Sequence, residues 1–165
     1  MNIADAMAME LQHEGAVTRK CLERVPEEKF SYKPHEKSMS LGQLASHIAE
    51  ANGWMQVIVN EDLFDMDASG YTPYLASNRA ELLSTFDAKL AEAIGILQST
   101  PNDRMMAIWK MKMGGKIGVE MPRVAVVRGF VISHMVHHRG QLSVYLRLNN
   151  VPVPSIYGPS ADEAG

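Results

Sequence analysis

His134 and His138 stand four residues apart in the stretch Val124–Leu148, VAVVRGFVISHMVHHRGQLSVYLRL. In a helix such residues are neighbours on one face, about 6 Å apart along the axis, and two imidazoles there can converge on one ion. At about 100° per residue, Val127, Val131, His134, His138, Gln141, Leu142 and Tyr145 share a stripe, with Arg128, Arg139 and Arg147 off it. A lone histidine on an apolar face is ordinarily a core residue satisfied by one hydrogen bond. Two at the centre of one stripe must each be desolvated and find partners for both ring nitrogens, a cost that one shared divalent ion relieves. The helical zinc motif of metalloproteases sets a glutamate directly after its first histidine; Met135 stands there, so that mechanism is not expected.

The third ligand of an open catalytic site must come from another element. His47 lies in LGQLASHIAE, about 60° from the centre of a stripe made by Leu41, Leu44, Ala45, Ile48, Ala51, Met55 and Ile58. Ser40 is its N-cap, Gln43 sits at the capping-box position, and Met39 and Leu44 can form the hydrophobic staple. Two histidines from one helix and one from a second give the three-ligand arrangement that leaves a coordination position for water or substrate.

The remaining elements must position these two helices. From Ile3 to Val25, Met7, Leu11, Cys21, Leu22 and Val25 define an amphipathic helix that Pro26 ends, with Glu14 and Thr18 on its inner face. Glu14 either partners a polar group in the core or sits at the stripe's edge and reaches water. The connection PEEKFSYKPHEKSM has no sustained period, and His35 within it is expected to be exposed. Glu61 to Ser77 reads as a long loop whose Asp62, Asp65 and Asp67 match a calcium loop only loosely. Asn78 and Glu81 form another capping box, and Leu83, Phe86, Leu90, Ala93 and Leu97 give a third helix ending near Pro101. Alternation around Gly114-Gly115 predicts a short hairpin before the fourth helix, its methionines and Trp109 covering the bundle or a partner subunit. Pro122 fits the first turn of that helix; Asn149-Asn150 with Pro152 and Pro154 close it, and the tail is extended.

The chain has 165 residues, 46% of them apolar, which suits one domain over residues 1–165 with a full core. Its net charge is −3 and its 16 Lys and Arg are scattered, which argues against a nucleic-acid footprint. One cysteine, Cys21, excludes an intramolecular disulfide and a thiolate zinc site, and its place in an apolar pattern predicts a buried, inert thiol. No charged-then-apolar leader and no apolar run of about eighteen residues is present, so no membrane association and a cytoplasmic location are expected.

The histidine in LGQLASHIAE, the element HMVHHRGQL and the tail IYGPSADE together resemble the DinB superfamily over almost the whole chain. The resemblance implies an all-α, up-down-down-up four-helix bundle, with the hairpin between helices three and four, in a homodimer. It also implies a divalent metal, zinc or nickel, held by three histidines; carried over by position these are His47, His134 and His138. His137 at the stripe's edge and Gln141 one turn beyond His138, with Glu14, would orient the ligands or relay a proton. Similar proteins of known activity transfer low-molecular-weight thiols such as bacillithiol or mycothiol, or isomerise maleylpyruvate with mycothiol. The leading expectation is therefore metal-dependent thiol transfer to a small electrophile. The same site could activate water for hydrolysis, or the bundle could be a non-enzymatic dimeric binding protein with a structural or vestigial metal.

Overall fold

The computed structural model describes residues 2–164. Helix α1 (Ile3–Leu22) starts at a capping box in which Asn2 and Asp5 exchange side-chain and backbone hydrogen bonds. Helix α2 (Leu41–Ala51) starts at the box legible in the sequence: Gln43 N–H donates to the Ser40 hydroxyl at 3.2 Å, and Ser40 N–H to Gln43 Oε1 at 2.8 Å. Such a cap contributes about 1 kcal/mol to helix stability. The period running on to Ile58 is interrupted at Asn52-Gly53, and α3 (Trp54–Asn60) continues it as a separate segment. Helix α4 (Arg79–Gln98) is capped by the Asn78 side chain, which accepts from Glu81 N–H at 2.8 Å. Glu81 accepts in turn from Ser77 N–H at 2.9 Å, so the second half of the expected box is displaced by one residue.

The helices pack around one apolar cluster that includes Leu11, Leu44, Ile48, Phe86, Leu97, Val131 and Leu142. Helix α1 lies antiparallel to α4: Arg19 donates to Asp87 at 2.8 Å, and Gly15 faces Leu90 so closely that a Cβ would come within 2.5 Å of it. The final helix α7 (His134–Leu148) runs antiparallel to α2, His47 meeting His134 at one end and Tyr145 donating to the Met39 carbonyl at the other. It runs alongside α1 in the same sense, as the pairs Glu14–Arg139 and Arg24–Pro152 show. Among the described residues no helix is long and apolar enough to cross a membrane.

An all-α fold was expected, and the structure adds a small sheet. The predicted hairpin is present as β2 (Ile108–Met113) and β3 (Lys116–Pro122), antiparallel, with Gly114 and Gly115 at φ 60° and 74° in the turn. The segment expected to be an irregular loop supplies a third strand, β1 (Leu63–Asp65), parallel to β2. It escapes a pattern search because three residues hold no measurable alternation. What fixes it is contact with the hairpin: Lys112 donates to Asp65 at 2.8 Å, and the Asp67 carboxylate accepts the N–H groups of Gly114 and Gly115 at 3.1 and 3.0 Å. Trp109 and Met111 alternate inward and are buried, so the methionine-rich hairpin covers the bundle. A five-residue helix α5 (Asn102–Met106) precedes it. Arg123, fully buried, ties these parts together by donating to the carbonyls of Ile58, Glu61, Ala107 and Ile108.

The fourth helix is not uniform. A short α6 (Arg123–Val126) leads into a π-helical turn, Val127–Ser133, which hands over to α7 at His134. The stripe expected from a constant 100° step is too narrow. Met135, Arg139 and Leu146 are buried beside His138 and Leu142, because α7 packs against both α1 and α2.

Candidate metal centre

Helix α2 presents His47, and α7 presents His134 and His138 one turn apart; the structure brings these three together. The Nε2 of His134 lies 2.8 Å from that of His138 and 3.2 Å from that of His47. The opposite nitrogen of each ring faces an oxygen. His138 Nδ1 is 2.7 Å from Gln141 Oε1, His134 Nδ1 is 3.3 Å from the Phe130 carbonyl in the π turn, and His47 Nδ1 is 3.4 Å from Glu50 Oε1. Those acceptors hold the proton of each neutral ring on Nδ1 and leave three Nε2 lone pairs facing one another. Lone pairs at this separation repel unless a cation lies among them. Three nitrogens at about 2.0–2.1 Å from a tetrahedral ion are separated by roughly 3.3 Å, so small outward shifts of the rings suffice to seat one. The donor set therefore fits a divalent metal.

Electrostatics agree with the geometry. Burial, followed by the neighbouring imidazoles, pushes His138 down to about 4 against the opposing pull of its bond to Gln141. Burial and then the adjacent His47 lower His134 as well. Both rings are neutral at pH 7, the form that binds metal. Between pH 6.5 and 4 the unfolded chain holds protons that the folded chain has released, so the stability of metal-free protein is full above about pH 6.5 and falls as pH drops toward 4. The slope is at most about 1.4 kcal/mol per pH unit for each such proton. Urea unfolding of metal-free protein at pH 7.5 and 5 should show this loss, and His138→Gln should reduce it; an unchanged loss in the variant would contradict the buried, neutral ring.

Glu50 was not anticipated from sequence. It sits three residues after His47, and this i, i+3 spacing on one helix face was the available signal. Its carboxylate also accepts from Tyr71 OH at 2.8 Å and from Tyr74 N–H at 3.2 Å. Burial and the adjoining carboxylate push the Tyr71 phenol up to about 12, so it stays a donor. Gln141 lies against His138. His137 is exposed, its ring centroid 4.8 Å from that of His138.

Glu14 is committed elsewhere: it pairs with Arg139 at 2.7 Å and accepts from Tyr157 OH at 2.8 Å, away from the expected role beside the histidines. Arg139, expected off the buried stripe, is 1% exposed. Cys21 is fully buried and its thiol is pushed up to about 11 by burial, which keeps it protonated and inert. His35 is exposed, with its Nδ1 accepting from Lys37 N–H at 3.1 Å.

A cleft of about 530 Å³ opens onto His47, His138 and Glu50, with Gln43, Tyr71 and Tyr74 on its walls. Its size suits a small molecule.

Comparison with known proteins gives a consistent picture. The DinB family model matches residues 1–164. The uncharacterized protein YrdA of Bacillus subtilis is 26% identical over 153 residues, which covers 92% of this chain and 86% of YrdA. Among solved structures, a DinB-like protein from Bacillus cereus is similar at TM-score 0.70 and 21% identity, covering 88% of this chain and 92% of that one. The DinB-like protein YjoA of Bacillus subtilis is similar at TM-score 0.72 and 20% identity, covering 92% and 96%. YfiT of Bacillus subtilis, described as a probable metal-dependent hydrolase with an unusual four-helix bundle topology, is similar at TM-score 0.65 and 12% identity, covering 89% and 87%.

Proposed function

The chain belongs to the DinB family, and from that premise we propose that it is a metal-dependent hydrolase of a small molecule, with His47, His134 and His138 as ligands to a zinc or nickel ion. The observation that carries this reading is the convergence of three Nε2 atoms beside a carboxylate, Glu50, that lines the same cleft. When bound, such an ion supplies Lewis-acid activation of a nucleophile and of the bond to be broken. The chain's own residues do the rest. Gln141 and the Phe130 carbonyl fix the rings of His138 and His134 by their outer nitrogens. Glu50 orients His47 and, facing the cleft with its side chain 14% exposed, is placed to accept a proton there. Tyr71 OH holds one oxygen of that carboxylate and so fixes its direction.

Thiol transfer is the second reading and rests on the likeness to family members. Glu50, a carboxylate facing the cleft, favours hydrolysis over it. The description of YfiT supports hydrolysis. Antiparallel packing of α1 on α4 and of α2 on α7, with α1 and α7 parallel, supports reading the bundle as up-down-down-up. Exposed Ile108, Met113 and Ile117 on the sheet support a homodimer.

The test is elemental analysis of protein purified without an affinity tag, followed by assay of zinc- and nickel-loaded enzyme on a panel of small esters, amides and lactones with and without added thiol. About one ion per chain and thiol-independent hydrolysis are expected. Glu50→Gln should retain metal with affinity reduced about 10–100-fold, and at saturating metal should lose about 10²–10⁴-fold in rate. A rate that appears only with thiol selects the second reading, and protein that takes up neither metal overturns both.

A further inference from the structure

Beside the histidine cleft is a second cavity of about 400 Å³, and the two share a wall made of Glu50, Tyr71 and Tyr74. Its other surfaces are aromatic and aliphatic: Trp54 from the start of α3, Val57 one turn on, and Phe64 from β1. Trp54 stands edge-on to Phe64 with centroids 5.1 Å apart and is tilted against Tyr71 at 5.6 Å. Trp54, Phe64 and Tyr74 are each only half-buried and line the cavity.

The polar groups of this wall are already satisfied. Tyr71 OH donates to Glu50, and Tyr74 OH is bonded to Glu81 at 3.2 Å and Thr85 at 3.0 Å. The interior therefore offers ring faces and edges and little that would reward a polar guest. The two ionic groups at its margin, Glu50 and Lys89, are of opposite charge and favour neither an anion nor a cation. Concave apolar surface of this kind is characteristic of ligand sites, and aromatic walls prefer an aromatic guest in offset or edge-to-face contact.

We propose that this cavity is a substrate subsite for a neutral aromatic group, so that the enzyme acts on a small aryl-bearing molecule whose reactive bond lies at the three histidines. The proposal rests on the reading of the histidine cleft as the active site. The shared wall places the two sites one side chain apart: a ring seated against Trp54 and Phe64 touches Tyr71, whose hydroxyl holds the carboxylate beside His47. The connection between β1 and α4 thus serves recognition, which accounts for its aromatic residues.

The test is calorimetric titration of metal-loaded protein with 2-naphthylmethanol and with its fully saturated decahydro counterpart, neither of which can be hydrolysed. Saturable binding of the naphthyl probe is expected, about 3–10-fold tighter than the saturated one and at least about 10-fold weaker in Trp54→Ala. Trp54→Leu, which keeps apolar volume, guards against a folding defect: it should weaken the naphthyl probe and spare the saturated one. Absence of saturable binding to wild type, equal affinity for both probes, or affinity unchanged in both variants overturns the subsite. Binding without hydrolysis of any panel member leaves the subsite standing and removes the hydrolase reading. Hydrolysis with equal kcat/KM for methyl- and aryl-bearing substrates, and no probe binding, does the reverse.

Discussion

His138→Ala should abolish metal uptake, taking the chain from about one ion to near zero. It should lower metal-dependent activity by more than the roughly 10–100-fold that losing an outer hydrogen bond costs. His138 is the least exposed residue of the three, at 8%, with its Nε2 2.8 Å from that of His134 and its ring centroid 4.7 Å from that of His47. With it gone, two nitrogens from two helices remain, one short of the three-ligand set. The fold should survive, because in metal-free protein the substitution removes one of three facing lone pairs and leaves Met135, Leu142 and Leu146 packed in the core. Added zinc or nickel should raise the melting temperature of wild type and not of the variant. A variant that still binds a full equivalent of metal would remove His138 from the ligand set.

The largest stability effect should come from Arg139. Its guanidinium, 1% exposed, meets the Glu14 carboxylate, the Glu14 carbonyl, the Thr18 hydroxyl and the Tyr157 hydroxyl, with the Tyr157 ring 4.9 Å away. Arg139→Met leaves the Glu14 carboxylate buried without its cation, and removing one partner of a buried pair costs about 3–5 kcal/mol. In a chain of this length that corresponds to roughly 10 °C in melting temperature. The double variant Glu14→Leu/Arg139→Met removes both charges and should recover most of the loss. Denaturant unfolding of the three proteins measures this directly, and a single-variant loss below about 1 kcal/mol would show the pair to be dispensable. Metal content should be unchanged throughout, since this cluster lies on the α1 side of α7 and the histidines on the α2 side.

The histidine trio was legible because its signal is periodic: two residues four apart on one helix and a third on a second capped helix. The caps at Ser40 and Asn78 and the hairpin turn at Gly114-Gly115 were legible for the related reason that each needs specific residue types within four positions. Glu50 and Arg139 were missed for a different reason. Their roles depend on what faces them from distant elements, Tyr71 and Tyr74 in one case, Glu14 and Tyr157 in the other, and a period carries no information about partners. Strand β1 was missed because its pairing is decided by β2, more than forty residues away. The buried face of the last helix was drawn too narrow because α7 packs against two neighbours, α1 and α2, and a single stripe describes contact with one.

The π turn also shows how the chain carries an extra residue next to the histidine trio. A π turn behaves as a helix into which about one residue has been inserted, carried as a bulge rather than a new loop. Because the wide turn absorbs that residue, the side chains beyond Ser133 keep the direction they would have on a regular helix one residue shorter. Shortening Val127–Ser133 by a single residue should thus yield a more regular helix that still brings His134 and His138 to His47. What the shorter helix would lose is the Phe130 carbonyl's hold on the His134 ring, because in a regular helix that carbonyl accepts from the backbone N–H four residues on.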